Sequence, residues 1–449
     1  SSKYVLILGM GVTGKAIAKS LYKSGANIFF WDDNSLIRKK FKGNKYNIFT
    51  NKNFDWKKID FIVVSPGIKT KGIKAHKILK SAKKNKCKII SELDLFQIYL
   101  DNFRYKNGIK VVGVTGTNGK STVVTLLSHI LNKNDIPCSL VGNIGKPIFS
   151  SKELKRGIYI MEISSYQLEN SSLFSPDYAC LLNLSNDHID RHGSIKNYAK
   201  EKLKVFRNLN TNQFGIINQG HKELKSRIKF FSKSLKERIT YVDFKKNYLS
   251  FYCSSKKIFI KKNIQNANVS NSHLLGSHNK ENIFFAIQIS RLLNIKYSKV
   301  LNAIRTFKGL EHRQEIVLKN KKIMIINDSK ATNFESLIPA LKNYKNIYLI
   351  CGGLAKDNNI KILDRYINQL VVVFIIGLNK NPFLNYFKDK IETHYVKNLS
   401  LAVKMAVSRA KSNKSNNTIL FSPGAASFDQ FKNFEMRGKR FKKLIKLNK

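Results

Sequence analysis

The chain has 449 residues, of which 43% are hydrophobic and 24% charged, an ordinary globular composition with room for roughly two to four domains. Its longest apolar run, Leu370 to Leu378, is too short to cross a bilayer, and no signal peptide is recognised, so no membrane association is expected. The formal charge of +52 points toward nucleic acid, yet the lysines are spread along the whole chain beside abundant Asn, Ile, Phe and Tyr. The compositional bias of an AT-rich genome accounts for that pattern, so no specific nucleic-acid partner is expected, although the positive field would draw anionic substrates. Five scattered cysteines (Cys87, Cys138, Cys180, Cys253 and Cys351) form no CxxC pair, which argues for reduced thiols and a cytoplasmic protein.

In chain order, "YVLILGMGVTG", "KAIAKSLYKSG" and "NIFFWDD" read as strand, glycine turn and helix, and strand. "DFIVVSPGI" and "KIISELDLF" supply a third and a fourth strand, and strands alternating with helices imply a parallel sheet covered on both faces. A polar stretch, "DNFRYKNG", is read as the separator before a middle unit that runs to about Lys308 and carries edge hairpins in "FSKSLKERITYVDFKKNYLSFYCSSKK". A last unit restarts with four strands, "KKIMIIND", "NIYLICGG", "LVVVFIIG" and "TILFSPG". The expected class is therefore α/β in three domains. A Rossmann-like domain covers residues 1–98, a central P-loop ATPase-like domain 99–308 and a C-terminal Rossmann-like domain 309–449.

Gly9-Met10-Gly11-Val12-Thr13-Gly14 matches GxGxxG directly after a strand, with Asp32 and Asp33 ending the next one. Such a turn brings backbone amides to a diphosphate, which suits a nicotinamide cofactor or a UDP-sugar equally. "GVTGTNGKST" is a phosphate cradle of unusual spacing. Gly116 leads Gly119 by three positions, and Val114 stands where the common Walker loop has its first glycine. There Gly116, Thr117, Asn118, Gly119, Lys120 and Thr122 can hold phosphates while Ser121 ligates Mg²⁺. Glu162 ends an apolar strand in "YIMEISSYQLE", and His188 lies in "LLNLSNDHIDRHGS" with Asp187 and Asp190, a divalent-metal constellation if the strand ends meet. His312 and Arg313 in "GLEHRQE", and Asp328, Lys330 and Thr332 in "INDSKATN", fall in turns where function concentrates. Periodicity alone makes Phe434, in "SPGAASFDQFKNFEMRG", a core aromatic.

Taken in order, "TGTNGKST", "GNIG", "EISSYQLE", "NDHIDRHG", "GSHNKEN", "LEHRQE", "NDSKATN" and "SPGAASFDQFKNFEMRG" resemble the bacterial Mur ligases across essentially the whole chain. The last two motifs resemble the branch of that family that adds D-glutamate. The resemblance implies a monomeric enzyme using ATP and two Mg²⁺ ions to join D-glutamate to UDP-N-acetylmuramoyl-L-alanine through an acyl phosphate and a tetrahedral intermediate, each domain holding one substrate. It implies UDP-substrate contacts from Gly11, Val12, Thr13, Asp32, Asp33, Ser65, Gly67, Asn143 and His188. ATP contacts would add Asn279, Asn282, Arg313 and Asp328 to the phosphate loop, with Lys120, His188, Lys202 and Arg313 as catalytic groups. D-Glutamate would be held by Lys330, Thr332, Lys356, Ser427 and Phe434, and metal by Ser121, Glu162 and His188. Lys202 in "NYAKEKLKVF", read on its residues as a solvated helix lysine, matches a lysine that CO₂ carbamylates in this family, which would make it a further metal ligand. One departure is that Asp33-Asn34 stand where the family carries a hydroxyl and a basic residue near the uracil.

Three other readings leave motifs idle. A folylpolyglutamate-synthase-like ligase does not need the N-terminal glycine turn or "SPGI", a nicotinamide dehydrogenase has no use for Lys120, and a P-loop nucleic-acid ATPase leaves "NDSKATN" unexplained.

Overall fold

Apolar strands buried on both faces alternate with helices and assemble three sheets. The computed structural model describes residues 3–41, 45–50, 55–70, 75–151, 153–185, 187–218, 220, 222–245, 248–253, 258–263, 271, 273–355, 359–413 and 415–447. The first sheet contains β1 (Tyr4–Leu8), β2 (Asn27–Trp31), β3 (Asn47–Ile48), β4 (Phe61–Val64) and β5 (Lys88–Ser91) in the order β3-β2-β1-β4-β5. All its pairs are parallel, and Val5 through Leu8 are fully buried, as a sheet covered on both faces requires.

Two expectations fail here for one local reason. The fourth strand stops at Ser91, because the Ser91 side chain and Asp94 form a capping box that starts a helix over Glu92–Asn107. That helix continues through the polar stretch read as a separator and ends at Gly108, whose φ of 62° is the left-handed cap glycine tolerates. Its Asp94 accepts hydrogen bonds from Ser171 Oγ at 3.0 Å and from the Ser172 and Leu173 amides at 2.8 Å, tying the helix to the second sheet's connections.

The second sheet has eight strands: β6 (Ile109–Thr115), β7 (Cys138–Gly142), β8 (Gly157–Glu162), β9 (Tyr178–Leu181), β10 (Phe214–Asn218), β11 (Ile239–Lys245), β12 (Tyr248–Cys253) and β13 (Ile258–Asn263). Their order is β13-β12-β11-β10-β9-β6-β8-β7. The turn-rich segment does form antiparallel hairpins, β11–β12 and β12–β13, at one edge. The third sheet comprises β14 (Glu315–Lys319), β15 (Ile323–Asn327), β16 (Ile347–Gly352), β17 (Leu370–Ile376), β18 (Thr393–Lys397) and β19 (Asn417–Phe421), ordered β14-β15-β19-β16-β17-β18. It has six strands where four were expected. The two extra ones, β14 and β18, are the half-buried edges, whose polar content weakens the apolar signal.

The chain divides into two compact units, one of Ser1–Val269 with Glu281–Ile304 and one of Ser270–Lys280 with Arg305–Lys449. The first two sheets belong to the first unit and the third sheet to the second. Among the described residues no helix is long and apolar enough to cross a membrane.

Candidate active site

In the first unit, β6 lies between β8 and β9, so the loops after these three strands converge at one edge. The loop after β6 leads into the helix Lys120–Asn132, whose cap, Gly119, has a φ of 82°. A Cβ on Gly119 would stand 2.2 Å from Asn282 Oδ1, and Asn282 is buried in the helix Ser277–Leu292. Gly119→Ala therefore combines backbone strain of roughly 1–2 kcal/mol with displacement of Asn282. We expect a folded protein whose ATP affinity falls ~10-fold or more, measured by calorimetric titration.

Loop and strand ends are cross-linked. The Asn118 amide donates to Asn183 Oδ1 at 2.9 Å, and Asn183 Nδ2 returns a bond to Asn118 O at 3.0 Å. Thr117 Oγ1 accepts from the Ser185 amide at 3.0 Å and lies 3.3 Å from the Tyr198 hydroxyl. Ser121 and Thr122 are buried in the first helical turn. Lys120 Nζ donates to the carbonyls of Gly116 and Thr117, both at 2.8 Å.

Lys202 is not the solvated residue its helix suggests. It is 1% exposed, and its Nζ donates to the same Gly116 carbonyl at 2.8 Å, with Thr115 Oγ1 at 3.5 Å and the Tyr198 ring centroid at 4.6 Å. Burial, and then the Lys120 ammonium, push the Lys202 amine well below the usual lysine range, against a smaller opposite pull from Asp187 and Glu162. Its neighbour Glu201 is ion-paired with Lys204.

Glu162, at the end of β8, is 3% exposed. Its Oε1 accepts from Asn143 Nδ2 at 2.9 Å, while Oε2 has no hydrogen-bond partner among the described residues. An anionic oxygen buried without a donor fits a cation ligand. His188 caps the short helix Ile189–His192 in a left-handed conformation (φ 53°), is about half exposed, and takes a Tyr166 hydroxyl contact at Nδ1, 3.0 Å away. Among the described residues no three His, Cys, Asp or Glu side chains form a metal cage by themselves.

At the first sheet β1 lies between β2 and β4, which places the glycine turn at a switch point. A Cβ on Gly14 would fall 1.9 Å from Gly9 O, the close packing the third glycine serves, whereas Gly11 has open space and Val12 is 74% exposed. Thr13 is half-buried. Ser65 Oγ donates to Gly9 O at 2.7 Å, and Arg191 donates to the carbonyls of Gly67 (3.3 Å) and Ile68 (3.0 Å). Asp32 accepts the Met10 amide at 2.7 Å and the Asn34 amide at 2.9 Å, so both its oxygens hold the turn itself.

In the second unit Asp328 follows β15 and is 6% exposed. Ser422 Oγ at 2.8 Å and the Gln314 amide at 3.1 Å donate to it. Burial nevertheless raises its carboxyl to about 7, with those bonds and Arg313 opposing. Because the folded state holds this proton more tightly than the unfolded chain, stability is lost as pH rises from about 4 to about 7. Asp328→Asn should therefore raise the thermal midpoint at pH 8 but not at pH 4; an equal change at both would refute the assignment.

Lys330 Nζ lies 3.8 Å from the centroid of the Phe434 ring, and the Lys330 amide donates to His312 O at 3.0 Å. Phe434 begins the helix Phe434–Leu447 and is half-buried, so it is not the core aromatic that periodicity indicated. Thr332 is half-buried and Ser427 is 3% exposed. Arg313 and Asn279 belong to this unit, whereas Asn282 belongs to the first. Lys356 lies outside the described residues.

Sequence reasoning missed Arg437. It is 1% exposed and donates to Ser329 Oγ (3.2 Å), Ser329 O (2.8 Å) and Ala425 O (3.0 and 3.1 Å), clamping the loops after β15 and β19. Burial lowers its guanidinium to about 10. The signal was a cation inside the apolar stripe of Phe434, Phe441 and Leu444, where solvent-facing spacing would have put it elsewhere.

A family profile described as Mur ligase middle domain matches residues 114–290. The protein named UDP-N-acetylmuramoylalanine–D-glutamate ligase in Rickettsia bellii is 34% identical over 450 residues, covering 98% of this chain and 96% of the relative. The one of that name in Wolbachia pipientis wMel is 34% identical, covering 97% and 95%. Among solved structures, the MurF ligase of Thermotoga maritima in complex with ADP gives a TM-score of 0.59 at 14% identity, covering 100% of this chain and 95% of that one. The UDP-N-acetylmuramate–alanine ligase of the same organism gives 0.56 at 16%, covering 99% and 100%. At such identities the structural likeness speaks for the α/β fold.

Proposed function

The chain belongs to the Mur ligase family, on the branch of the UDP-N-acetylmuramoylalanine–D-glutamate ligases, and on that premise we propose that it is an ATP-dependent ligase joining D-glutamate to UDP-N-acetylmuramoyl-L-alanine in peptidoglycan precursor synthesis. The supporting observation is the loop after β6, where Lys120 and Lys202 both donate to the Gly116 carbonyl. The phosphate loop after β6 and a buried, deprotonation-prone amine thus lie at the same sheet edge as Glu162, which ends the neighbouring β8.

The chemistry follows from what a carboxylate lacks. It is a poor electrophile, so an oxygen of the alanyl carboxylate attacks the γ-phosphorus of ATP, the bond from that phosphorus to the bridging oxygen breaks, and ADP leaves. The amine nitrogen of D-glutamate, its ammonium having lost one proton, adds to the acyl carbon, and the tetrahedral species gives up a second proton to solvent and expels phosphate to leave the amide. Lys120 offers an ammonium to the β- and γ-phosphates, and the Asn118–Asn183 lock holds the loop that presents it. Ser121, Glu162 and His188, with Lys202 as its carbamate, would hold two Mg²⁺ ions, which supply charge neutralisation on the phosphate oxygens. The carbamate forms when the neutral Lys202 nitrogen adds to CO₂ and releases a proton, leaving one negative charge.

The first sheet's crevice, with Gly11, Val12, Thr13, Asp33, Ser65 and Gly67, would take the UDP-sugar, and Asn143 would act through Glu162. In the second unit Lys330, Thr332, Lys356, Ser427 and Phe434 would hold D-glutamate, with Arg437 fixing their loops, while Arg313 and Asp328 serve ATP. The test is phosphate release. It should require both UDP-N-acetylmuramoyl-L-alanine and D-glutamate, with little release for L-glutamate, L-lysine or a folate. Equal turnover with L-glutamate overturns the reading, as does ATP hydrolysis stimulated by RNA or DNA at physiological salt.

A further inference from the structure

Arg191 lies on the segment after β9 that carries His188, yet its guanidinium reaches the first sheet. Nη1 donates to the Gly67 carbonyl at 3.3 Å and Nη2 to the Ile68 carbonyl at 3.0 Å, while Nε donates to Glu169 Oε2 at 3.0 Å. The Arg191 and Glu169 side chains are 7% and 12% exposed, and the guanidinium carbon stands 5.2 Å from the Tyr166 ring centroid. Such a buried pair adds little stability, because desolvation offsets its attraction. What it supplies is direction. With Nε fixed on a carboxylate, the Nη groups of a planar fork are aimed at one place.

That place is the turn Ser65-Pro66-Gly67-Ile68, which follows β4. The Ile68 amide donates to Ser65 O at 3.0 Å, closing a β-turn with proline at its second position. Ser65 Oγ ties the turn to Gly9 O in the glycine turn. The peptide between Gly67 and Ile68 is therefore fixed at both ends, its N–H on Ser65 and its carbonyl on Arg191. The Gly67 amide meets no protein acceptor among the described residues, and a Cβ on Gly67 would find nothing within 4 Å. The turn thus keeps a donor and open space for a ligand.

The other contacts of Arg191 lead to the phosphate edge. It sits on the short helix Ile189–His192 that His188 caps, and His192 Nε2 lies 3.0 Å from Ser165 Oγ. Glu169 ends the helix Ser165–Glu169, which follows Glu162. Lys204 Nζ, at the end of the helix that bears Lys202, donates to the Glu169 carbonyl at 2.8 Å. The segments bearing Glu162, His188 and Lys202 therefore meet at the Glu169–Arg191 pair, and the pair grips the turn of the first sheet.

We propose that Arg191, aimed by Glu169, is a positioning residue that sets the UDP-substrate turn against the phosphate edge, so that the bound substrate carboxylate faces the γ-phosphate. The inference rests on reading the first sheet's crevice as the UDP-substrate site.

The experiment is calorimetric titration of the full chain with UDP-N-acetylmuramoyl-L-alanine and, separately, with ADP and Mg²⁺, alongside steady-state phosphate release. Arg191→Lys keeps a charge beside Glu169 but cannot bridge two carbonyls and a carboxylate. It should hold the thermal midpoint near the native value and ADP affinity within about twofold. UDP-substrate affinity should fall ~10-fold, the scale of one lost charge-assisted hydrogen bond. At saturating substrates kcat should fall a further ~10-fold, because a small misplacement of the reacting groups is costly. The double variant Arg191→Met with Glu169→Gln removes both charges and strands neither, and it should show the same losses. Unchanged UDP-substrate affinity in either folded variant, equal losses for ADP and the UDP-substrate, or failure of both variants to fold would overturn the proposal. Failure of the native protein to bind UDP-N-acetylmuramoyl-L-alanine would instead overturn the crevice assignment beneath it.

Discussion

Lys120→Ala should lower phosphate release by ~10²-fold or more, the usual cost of removing one cationic donor from a transferring phosphoryl group. The geometry makes the loss specific. The ammonium donates to the Gly116 and Thr117 carbonyls, neutral acceptors that phosphate oxygens can replace. Alanine also deletes those two bonds, so a loosened loop has to be distinguished from a missing charge. Lys120→Met, which keeps the stem and removes the charge, should be about as inactive as alanine; recovery in the methionine variant would assign the loss to packing. Removing the exposed Lys446 at the far end of the chain should leave turnover within about twofold, because a single rim charge in so positive a field matters little. Turnover of Lys120→Ala within threefold of the native protein would refute the phosphate role.

The three sheets were legible because parallel strands are continuous apolar runs bounded by glycine turns, and "YVLILGMG" or "LVVVFIIG" leaves little choice. The errors fell where a side chain redirected the backbone or the strand lay at an edge. Asp94 closes a capping box on Ser91 and turns an expected strand into a helix. The edges β14 and β18 face water along part of their length and lack the run. At the candidate site, the residues in turns after strands stand out in the sequence, because a rigid sheet presents such turns where binding groups concentrate. Residues on helices were not. Arg437 occupies a buried stripe, and its role depends on the carbonyls of Ser329 and Ala425, 108 and 12 positions away in sequence. Nothing local announces those partners. The same holds for Arg191, whose partners Glu169, Gly67 and Ile68 are brought near only by the fold. In both cases the tertiary fold alone supplies the meaning.

Lys202→Ala should be nearly inactive and should regain part of its turnover with a short carboxylate such as acetate. A plain lysine has no reason to be 1% exposed, stacked at 4.6 Å on Tyr198 and sharing a carbonyl with a second lysine. Burial and Lys120 both favour its neutral form, and a neutral amine is the form that adds to CO₂. As an ammonium it would set a second positive charge beside Lys120; as a carbamate it would answer that charge and join Oε2 of Glu162, which has no hydrogen-bond partner among the described residues, in holding Mg²⁺. Acetate in the space vacated by the side chain would restore the anion without the tether, which a structural lysine could not explain. Glu201 is the obvious rival ligand, but its carboxylate is committed to Lys204. Glu201→Ala should therefore stay largely active, although it should cost several kcal/mol of stability, roughly 3–5, because the pair is about nine-tenths buried and its loss strands the Lys204 ammonium. The carbamate also predicts a dependence on dissolved CO₂: turnover of the native protein should fall in CO₂-stripped buffer and return on adding bicarbonate, while Lys202→Ala with acetate ignores both. Full activity of Lys202→Ala, or collapse of a folded Glu201→Ala, would transfer the metal to Glu201 and end the carbamate proposal.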